Sequence, residues 1–503
     1  MSAFIDSIDL LITNATVVDG SGQPGRRADV AVRGERIMAI GSLVERVTTG
    51  RTIDGHGLVL APGFIDVHTH DDFALLAFPE MDFKVMQGVT TCIVGNCGFG
   101  AAPFAPAAEF AQSLCPSLVL PVWQGYTGYM QTLSTHPASV NAAVLVGHNL
   151  IRRAVMGNAH CKPTKQELKQ MADIVEEGFH AGAVGFSSGL IYEPGRYSQT
   201  EELIYLANIA AQSGGLYTTH LRNEADQLTE AVEEALTIGE AARIAVQISH
   251  HKAAGKNNWG RVRQTLQRIQ KARQEGMMVA VDQYPYVSAS TLLSEVLSMS
   301  ALNKKNSYTS GVGYVEASNV VIASAPKHPE WVGHTLQHFC EQWKVEAETA
   351  AKRLLQDDQL FVIIYIMCEE DVCTVLQHPL TMIGSDGVPT EGGQPHPRLY
   401  GTFARVLGHY VREKRLLSLE EAIYRMTVFP ANQFKLRDRG IIREGAFADI
   451  VLLNPQSIAD KATYEHPRQY PQGIEYVLVN GTVVVNQGVH THARPGQVLR
   501  HHV

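Results

Sequence analysis

The sequence has no long apolar run, and its cysteines are few and irregularly spaced. No stretch of its 503 residues approaches the ~18 consecutive apolar residues of a membrane-spanning helix, and no basic-then-apolar signal pattern opens the chain. Seven cysteines without regular spacing do not form the framework of a disulfide-stabilised secreted protein. We therefore expect a cytoplasmic protein with mostly reduced thiols and no membrane segment.

A cluster of basic residues is also missing. The formal net charge is −8 at pH 7, and the lysines and arginines are scattered along the chain. Proteins that bind nucleic acid usually concentrate basic residues on one face, and an acidic net charge disfavours binding to anionic surfaces. We expect a small-molecule partner, and neither nucleic acid nor a membrane. The oligomeric state is left open by the composition.

Both ends of the chain carry short apolar segments separated by turn residues. These segments are 9–18, 28–40, 450–452 and 477–485. The last is interrupted by Asn480-Gly481, the preferred two-residue turn of a β-hairpin. We predict one small β-sandwich-like domain built from both termini, 1–61 plus 436–503. The alternative is two independent hairpins packed on the central domain.

Between the ends, strand-like segments alternate with helical ones. Alternation repeated about eight times is typical of a (β/α)8 TIM barrel, whose usual size of about 250 residues leaves room here for insertions. We predict an α/β fold with such a barrel over 62–435, and helices at 164–180, 200–213, 224–241 and 259–276. The predicted strands are 62–70, 89–97, 142–148, 183–189, 215–220, 244–250, 277–286 and 380–387.

The seventh and eighth predicted strands are too far apart for a single crossover. The intervening sequence is irregular over 287–335 and then shows helical patterns around 336–356. Long loops inside compact domains usually carry function. We therefore predict an inserted subdomain, or lid, over 287–345.

The first predicted strand ends in His68-Thr69-His70. Residues two apart in a strand project from the same face, with Cα atoms roughly 6.6 Å apart, and neutral imidazole is the commonest protein metal ligand. The spacing alone fits two packed histidines equally well. Its position at a strand end is more informative, because barrel active sites are built at these ends.

Polar residues end several other predicted strands, and in a barrel all of these ends face one rim. Singly, each has an ordinary structural interpretation, such as a buried thiol or a helix cap. Together they predict a metal site formed by His68, His70, Cys97, His220, His250 and Asp386.

Several motifs along the chain point to a known family. They are 62–72, 88–91 with 95–98, 152–157, 185–192, 220–222, 249–252, 282–286, 384–387 and the less specific 445–451. These motifs resemble the amidohydrolase superfamily and, within it, the N-acyl-D-amino-acid deacylases, or D-aminoacylases. The resemblance implies zinc-dependent hydrolysis of an N-acyl-D-amino acid to a carboxylate and a free D-amino acid.

The fourth predicted strand separates this chain from most two-metal members of the superfamily. Those members use a carboxylated lysine at the end of strand four as a bridging ligand, but 186–189 contains no lysine. A thiolate at Cys97 can supply the missing anionic ligand, since a zinc-bound thiol is deprotonated. The resemblance implies that Cys97, His220 and His250 hold one Zn²⁺ tightly.

The same resemblance assigns a possible second, weaker metal position to His68, His70 and Asp386. A zinc ion lowers the pKa of its bound water and polarises an acyl carbonyl. Asp386 would take the proton of the attacking water and deliver it to the leaving amine, a role compatible with metal ligation. His68 or His70 would help to stabilise the oxyanion.

The resemblance also indicates which residues bind the substrate. Lys252 and Arg398 would hold the α-carboxylate, and Tyr192 and Tyr284 would donate hydrogen bonds from their hydroxyl groups. Each could instead be a surface charge or a packed ring. Selectivity for the D form would be geometric. When the α-carboxylate and the acyl carbonyl are both bound, only one enantiomer places its side chain in the side-chain pocket.

The side-chain preference is inferred from the lack of basic residues in 288–297. An enzyme that prefers D-glutamate or D-aspartate should present a cation to the side-chain carboxylate, so we expect an apolar or neutral D-side chain. Lys304 or Lys305 in the insertion could supply that charge, and a preference for acidic side chains is therefore the alternative.

Two other interpretations compete with D-aminoacylase activity. One is a related amidohydrolase that cuts a D-dipeptide or a cyclic imide, although the absence of a strand-four lysine disfavours cyclic substrates. The other is a metal-free barrel with a structural role. Such a protein should have lost ligands, whereas all six candidate positions keep side chains that can bind metal.

Overall fold

The computed structural model describes residues 5–299, 301–302, 311–357 and 359–501. Its central element is a barrel of eight parallel strands. Each barrel strand is hydrogen-bonded to the barrel strand that follows it in sequence. This arrangement confirms the predicted (β/α)8 barrel. The strands are Phe64–Asp66, Val89–Val94, Asn141–Gly147, Gly185–Gly189, Leu216–His220, Ala245–Ile248, Val279–Gln283 and Thr381–Ile383.

Helices cover the outside of the barrel. The predicted helix 164–180 is observed as Lys165–Ala181, and it begins with a capping box in which Thr164 and Glu167 exchange side-chain-to-backbone hydrogen bonds. The other three predicted helices are observed as Thr200–Gln212, Leu228–Ala242 and Val262–Gln274. Further helical segments are Ala74–Ala77, Asp82–Val85, Phe104–Leu114, Gly125–Thr135, His148–Met156, Glu369–Gln377, Arg398–Arg405, Val406–Glu413, Leu419–Met426 and Val428–Gln433. No helix in these described ranges is long and apolar enough to cross a membrane.

The barrel closes between its first and last strands at the end that carries the candidate site. Just beyond these strands, Asp386 N donates to His68 O at 2.6 Å, and His70 N donates to Gly387 O at 3.0 Å. The buried Lys84 side chain supports the closure by donating to Asp66 Oδ2 at 2.6 Å and to Ser385 Oγ at 2.9 Å. The closure therefore fixes the backbones of His68 and Asp386 relative to each other.

The two ends of the barrel interior differ in polarity. We call the end at which the strands begin the amino end, and the opposite end the carboxyl end. The amino end is filled by a buried apolar cluster that includes Ile65, Ile93, Leu145, Leu216, Met382 and Phe434. Burial of this apolar area stabilises the barrel.

A second sheet, of nine strands, contains segments from both ends of the chain. Val59–Pro62 joins the two halves, because it pairs parallel with Leu10–Val17 and antiparallel with Ile450–Leu453. The terminal hairpins are therefore parts of one mixed sheet and not independent units. Its remaining strands are Arg26–Arg33, Arg36–Gly41, Thr52–Asp54, Ile474–Val479, Thr482–Asn486 and Val489–His490, and a separate pair is formed by Ile5–Ile8 and Val47–Thr49.

The C-terminal segment links this sheet to the barrel. The Asn480-Gly481 turn has φ values of 49° and 76°, positive at both residues as a type I′ turn requires. Farther on, Val498–Leu499 pairs with the third barrel strand, Asn141–Gly147. The range 436–503 is thus not confined to the nine-stranded sheet, although the domain boundaries themselves stay a prediction.

The insertion between the seventh and eighth barrel strands has its own sheet and core. Three antiparallel strands, Ser288–Leu292, Val320–Ser324 and Phe361–Tyr365, form the sheet. It packs with the helices Leu293–Met299, Leu336–Trp343 and Ala347–Asp357, and a short pair is formed by Ala301–Leu302 and Tyr314–Val315. The central strand, Phe361–Tyr365, lies beyond residue 345, so the inserted elements extend past the predicted range 287–345.

Candidate metal centre and active site

The carboxyl end of the barrel carries all six predicted metal-site residues. Each lies at or just after the end of a different strand, except that one strand supplies two histidines, and each is at most 8% exposed. The structure brings together His68 and His70 of the first strand, Cys97 of the second, His220 of the fifth, His250 of the sixth and Asp386 of the eighth.

Cys97, His220 and His250 form the tightest group. The Cys97 Sγ atom lies 3.7 Å from His220 Nδ1 and 3.6 Å from His250 Nε2, and the two imidazole nitrogens are 2.8 Å apart. Zinc binds sulfur at about 2.3 Å and imidazole nitrogen at about 2.0–2.1 Å, so donors spaced in this way can share one ion. A thiolate with two imidazoles is an ordinary zinc donor set.

A second group adjoins the first through the same thiol. Asp386 Oδ1 lies 3.2 Å from His70 Nε2 and 3.5 Å from His68 Nε2. His68 Nε2 lies 3.3 Å from Cys97 Sγ. The thiol therefore stands between the two groups, where a lysine carboxylate would bridge two metals in other members of the superfamily.

The fourth barrel strand holds the Cys97 turn in place. Gly98 N donates to Ser187 Oγ at 3.1 Å, and that hydroxyl donates to Gly95 O. At Gly189 the strand touches the turn directly, because a Cβ there would lie 2.1 Å from the Cys97 carbonyl oxygen. Gly189 thus has no space for a side chain, and the fourth strand positions the turn that carries the Cys97 thiol.

Three of the six residues have left-handed backbone conformations. The φ angles are 55° at Cys97, 35° at His250 and 49° at Asp386. Such conformations cost about 1–3 kcal/mol each for residues other than glycine, and they concentrate at functional sites. The surrounding hydrogen bonds hold these backbones in place, so each side chain is aimed at the common centre.

Two carboxylates that sequence reasoning missed orient the histidines. Glu224 Oε1 lies 3.1 Å from His250 Nδ1 and 3.6 Å from His220 Nε2. Asp282 Oδ1 lies 3.2 Å from His68 Nδ1 and accepts from His250 N at 2.8 Å. Carboxylates that bond the outer nitrogen of a ligand histidine fix its tautomer and orientation, so the inner nitrogens are left to bind metal.

The charges of the site suit a divalent cation. Burial opposes ionisation of Cys97, but the neighbouring imidazoles, first that of His68, hold the pKa of its thiol well below the usual range. Burial likewise opposes ionisation of Asp386, and the guanidinium of Arg398 and the nearby histidines hold the pKa of that carboxyl well below its usual range. Two anionic donors therefore face the centre.

The four predicted substrate-binding residues surround this centre. Arg398 is fully buried, with Nη1 2.9 Å from Asp386 Oδ2, and its guanidinium lies 4.6 Å from the centre of the Tyr284 ring. Lys252 Nζ donates to Glu224 Oε1 at 2.5 Å and lies 2.7 Å from His250 Nδ1. The geometry shows contacts that the sequence did not predict, since both cations already touch acidic groups of the site.

The two tyrosines differ in their surroundings. The Tyr284 hydroxyl is buried and has no hydrogen-bond partner among the described residues, which is unusual for a buried polar group. Tyr192 packs its ring edge against His220, with ring centres 4.7 Å apart. Tyr284 therefore has a donor available for a ligand, and Tyr192 borders the tight metal group.

Comparison with known proteins agrees with this geometry. The model of the amidohydrolase family matches residues 51–299 and 349–485. A D-aminoacylase of Alcaligenes xylosoxydans xylosoxydans is 41% identical over 98% of this chain and 97% of its own length. The structure also resembles that of N-acyl-D-glutamate deacylase from Bordetella bronchiseptica, solved with zinc and a phosphonate mimic of the tetrahedral intermediate, at a TM-score of 0.87 and 40% identity, covering 98% and 100% of the two chains.

A third similarity is to a D-aminoacylase structure described by one-metal activation and second-metal attenuation of a binuclear centre. It has a TM-score of 0.89 and 37% identity, and 98% of this chain and 100% of that chain are covered. The chain belongs to the amidohydrolase family, and it is a hydrolase. Within that family it groups with the D-aminoacylases, as the motifs predicted.

Proposed function

We propose that this protein hydrolyses the amide bond of N-acyl-D-amino acids and releases a carboxylate and a free D-amino acid. The observation that carries this proposal is the buried triangle of Cys97, His220 and His250 beside Asp386. Its relatives with 41% and 40% identity are a D-aminoacylase and an N-acyl-D-glutamate deacylase. The free thiols of all seven cysteines support a reducing, cytoplasmic location.

The donor set supports zinc as the cofactor. Cys97, His220 and His250 would hold one ion tightly, and His68, His70 and Asp386 would line a second, weaker position. When bound, zinc supplies Lewis acidity for the acyl carbonyl and a water whose pKa is lowered. The relative with a binuclear centre, in which the second metal attenuates activity, supports unequal roles for the two positions.

Asp386 is the proposed general base and acid. Its Oδ2 faces Arg398 and its Oδ1 faces His70, so both oxygens lie at the centre of the site. The carboxylate takes a proton from water as the water oxygen bonds to the acyl carbon. It then delivers that proton to the amide nitrogen as the carbon–nitrogen bond breaks. His68 or His70 stabilises the oxyanion that forms between these steps.

The substrate carboxylate is bound by cations and a hydroxyl group. Arg398 and Tyr284 lie against each other, and the Tyr284 hydroxyl has no partner among the described residues. Lys252 lies 5.8 Å from the centre of the same ring. We assign the α-carboxylate to these three groups, with Tyr192 as a further hydroxyl donor. D-selectivity follows because the α-carboxylate and the acyl carbonyl of the substrate are then both fixed.

We further propose that the preferred D-side chain is apolar or neutral. Residues 288–299, which lead from the seventh barrel strand into the insertion, contain one acidic residue, Glu295, and no basic residue. Phe99 and Tyr192, with ring centres 5.4 Å apart, offer aromatic surface next to His220. Lys304 and Lys305 lie outside the described residues, and acidic side chains are the second candidate because a relative at 40% identity is an N-acyl-D-glutamate deacylase.

A paired substrate panel tests the proposal. N-acetyl-D-methionine, N-acetyl-D-leucine, N-acetyl-D-glutamate and N-acetyl-L-methionine would be assayed with zinc and after chelation. We expect turnover of the D compounds only, loss of activity on chelation, and kcat/KM highest for methionine or leucine. A glutamate preference would overturn the side-chain assignment alone, whereas equal turnover of the two methionine enantiomers would overturn the deacylase proposal.

A further inference from the structure

A cavity lies at the amino end of the barrel, opposite the metal centre. Its volume is about 530 Å³, which is within the usual range of small-molecule sites. The strands of the barrel are 3–7 residues long, so the cavity and the metal centre are on the order of 20 Å apart. Ligands at the two positions would not touch each other.

Three parts of the chain build this cavity. Lys435 and Arg437 follow the helix Val428–Gln433. Arg500 follows the C-terminal strand Val498–Leu499. The nine-stranded sheet contributes Arg36, which lies beside Phe447. The guanidinium groups of Arg36 and Arg439 both lie over the Phe447 ring, at 3.5 and 3.8 Å from its centre. The cavity is thus built where the barrel, the nine-stranded sheet and the chain end meet.

The cavity is strongly basic although the whole chain has a formal net charge of −8. Five lysines or arginines line it, against one carboxylate, Asp438. Arg36 and Arg439 are compensated, since Arg36 lies 3.5 Å from Asp438 and Arg439 pairs with Asp449. Lys435, Arg437 and Arg500, in contrast, form no ion pair with any described carboxylate, and Lys435 donates only to Gly214 O at 2.7 Å.

The floor of the cavity is apolar. Val184, Phe434 and Leu436 line it and are at most 8% exposed, and Leu499 lies beside them. A site with an apolar floor and a cationic rim complements a ligand that has an apolar or aromatic body and a highly charged head. Arginine binds phosphate oxygens in bidentate fashion. A ligand with a single carboxylate would leave two of the three uncompensated cations without a partner.

We propose that this cavity binds an organic phosphate, with its phosphate groups on Lys435, Arg437 and Arg500 and its body against Phe434 and Leu436. A long nucleic acid does not fit this assignment, because the acidic remainder of the chain repels a polyanion that extends beyond the cavity. The site is independent of the proposed deacylase reaction.

Binding to the zinc-loaded protein tests the proposal, with ADP as the probe and adenosine, pyrophosphate and citrate as comparisons. Calorimetric titration should show ADP binding at one site and more tightly than any of the three. In the variant R437E/R500E the affinity for ADP should fall by at least about tenfold. The milder R437Q/R500Q should also weaken it, and serves if charge reversal impairs folding.

A matched control separates local from overall charge. Lys162 and Lys165 are exposed, form no ion pair with a described carboxylate and lie near the carboxyl end of the barrel. K162E/K165E therefore makes the same change in net charge as R437E/R500E, but away from the cavity. We expect K162E/K165E to retain ADP affinity, and we expect all three double variants to hydrolyse substrate as the wild type does. Unchanged ADP affinity in R437E/R500E, ADP binding no tighter than adenosine, or tighter binding of citrate would each overturn the proposal.

Discussion

The two ends of the barrel use the same strands for opposite purposes. At the amino end, side chains such as Leu145 and Leu216 form a closed apolar cluster. At the carboxyl end, ionised and strained residues such as Cys97 and Asp386 are buried together. Stability should therefore depend on the amino end and catalysis on the carboxyl end. Mutations at the two ends should affect these two properties separately.

The largest expected effect is at the carboxyl end, in Cys97→Ala. Loss of the thiolate removes the anionic donor that lies between both candidate metal groups. We expect kcat/KM to fall by at least about 10³-fold, with loss of stoichiometric zinc by elemental analysis. Cys92→Ala is the matched control, because Cys92 is buried in the strand that leads to the Cys97 turn and packs in the outer core. Full zinc content and activity in Cys97→Ala would show that the thiolate is not needed to bind the metal.

The next effect is at the amino end, in Leu145→Ala. Leu145 is fully buried in the apolar cluster, so truncation should lower the free energy of unfolding by about 2–5 kcal/mol. Urea unfolding would measure this loss, while kcat of the folded enzyme should stay near the wild-type value. The exposed Val119→Ala, at 90% exposure, should change stability by less than about 0.5 kcal/mol. A large fall in kcat without loss of stability would contradict the division.

Glu224→Gln tests whether zinc binding at the carboxyl end depends on carboxylates that contact the ligand histidines. The amide keeps the shape of Glu224 but removes the charge that faces His250, His220 and Lys252. We expect zinc affinity to fall by about 10–100-fold, measured by competition with a chelator. Glu233→Gln, whose carboxylate pairs with Arg268 on the outside of the barrel, should leave the affinity unchanged. Equal affinities in both variants would show that Glu224 does not orient the histidines.

The smallest expected effect is on stability, and it concerns Glu202, a buried carboxylate near the carboxyl end of the barrel but outside the metal site. Burial alone would raise the pKa of Glu202, but His148, at 2.8 Å, and Arg152, at 2.6 Å, hold it below its ordinary value of 4.5. This carboxylate therefore contributes stability above its unfolded pKa, and the contribution is lost as pH falls through the folded pKa. We expect Glu202→Gln to be less stable than the wild type at pH 7.

The pH dependence of that difference is the diagnostic measurement. Because protonation gives wild-type Glu202 a neutral side chain as well, the gap in unfolding free energy between the two proteins should narrow as pH falls below about 4.5. A gap that is constant from pH 7 to pH 4 would mean that Glu202 has no shifted pKa. Zinc content at pH 7 should be the same in both proteins, since Glu202 does not contact the metal group.

Much of the fold and of the site could be predicted because the signals are local. Strand ends, the capping box at Thr164 and the Asn480-Gly481 turn are each set by neighbouring residues. The six residues at the strand ends followed from the rule that these ends share one rim. In contrast, the extent of the insertion depends on a long-range contact, because its central strand Phe361–Tyr365 pairs with a segment about 70 residues earlier.

The residues that sequence reasoning missed act through contacts between distant parts of the chain. Glu224 was assigned to the helix 224–241, whereas the helix begins at Leu228 and leaves Glu224 free to face His220 and His250. Its one local signal is its position four residues after His220. Ser187 and Lys84 gave no local signal, since their partners Gly95 and Ser385 lie on other strands or loops.

X-ray absorption by zinc in the purified protein shows directly whether a sulfur atom binds the metal. If Cys97, His220 and His250 hold the ion, the spectrum should show one sulfur at about 2.3 Å with nitrogen or oxygen neighbours at about 2.0–2.1 Å. The sulfur contribution should disappear in Cys97→Ser and persist in Cys92→Ser. Zinc surrounded by nitrogen and oxygen alone in the wild-type protein would exclude Cys97 as a metal ligand.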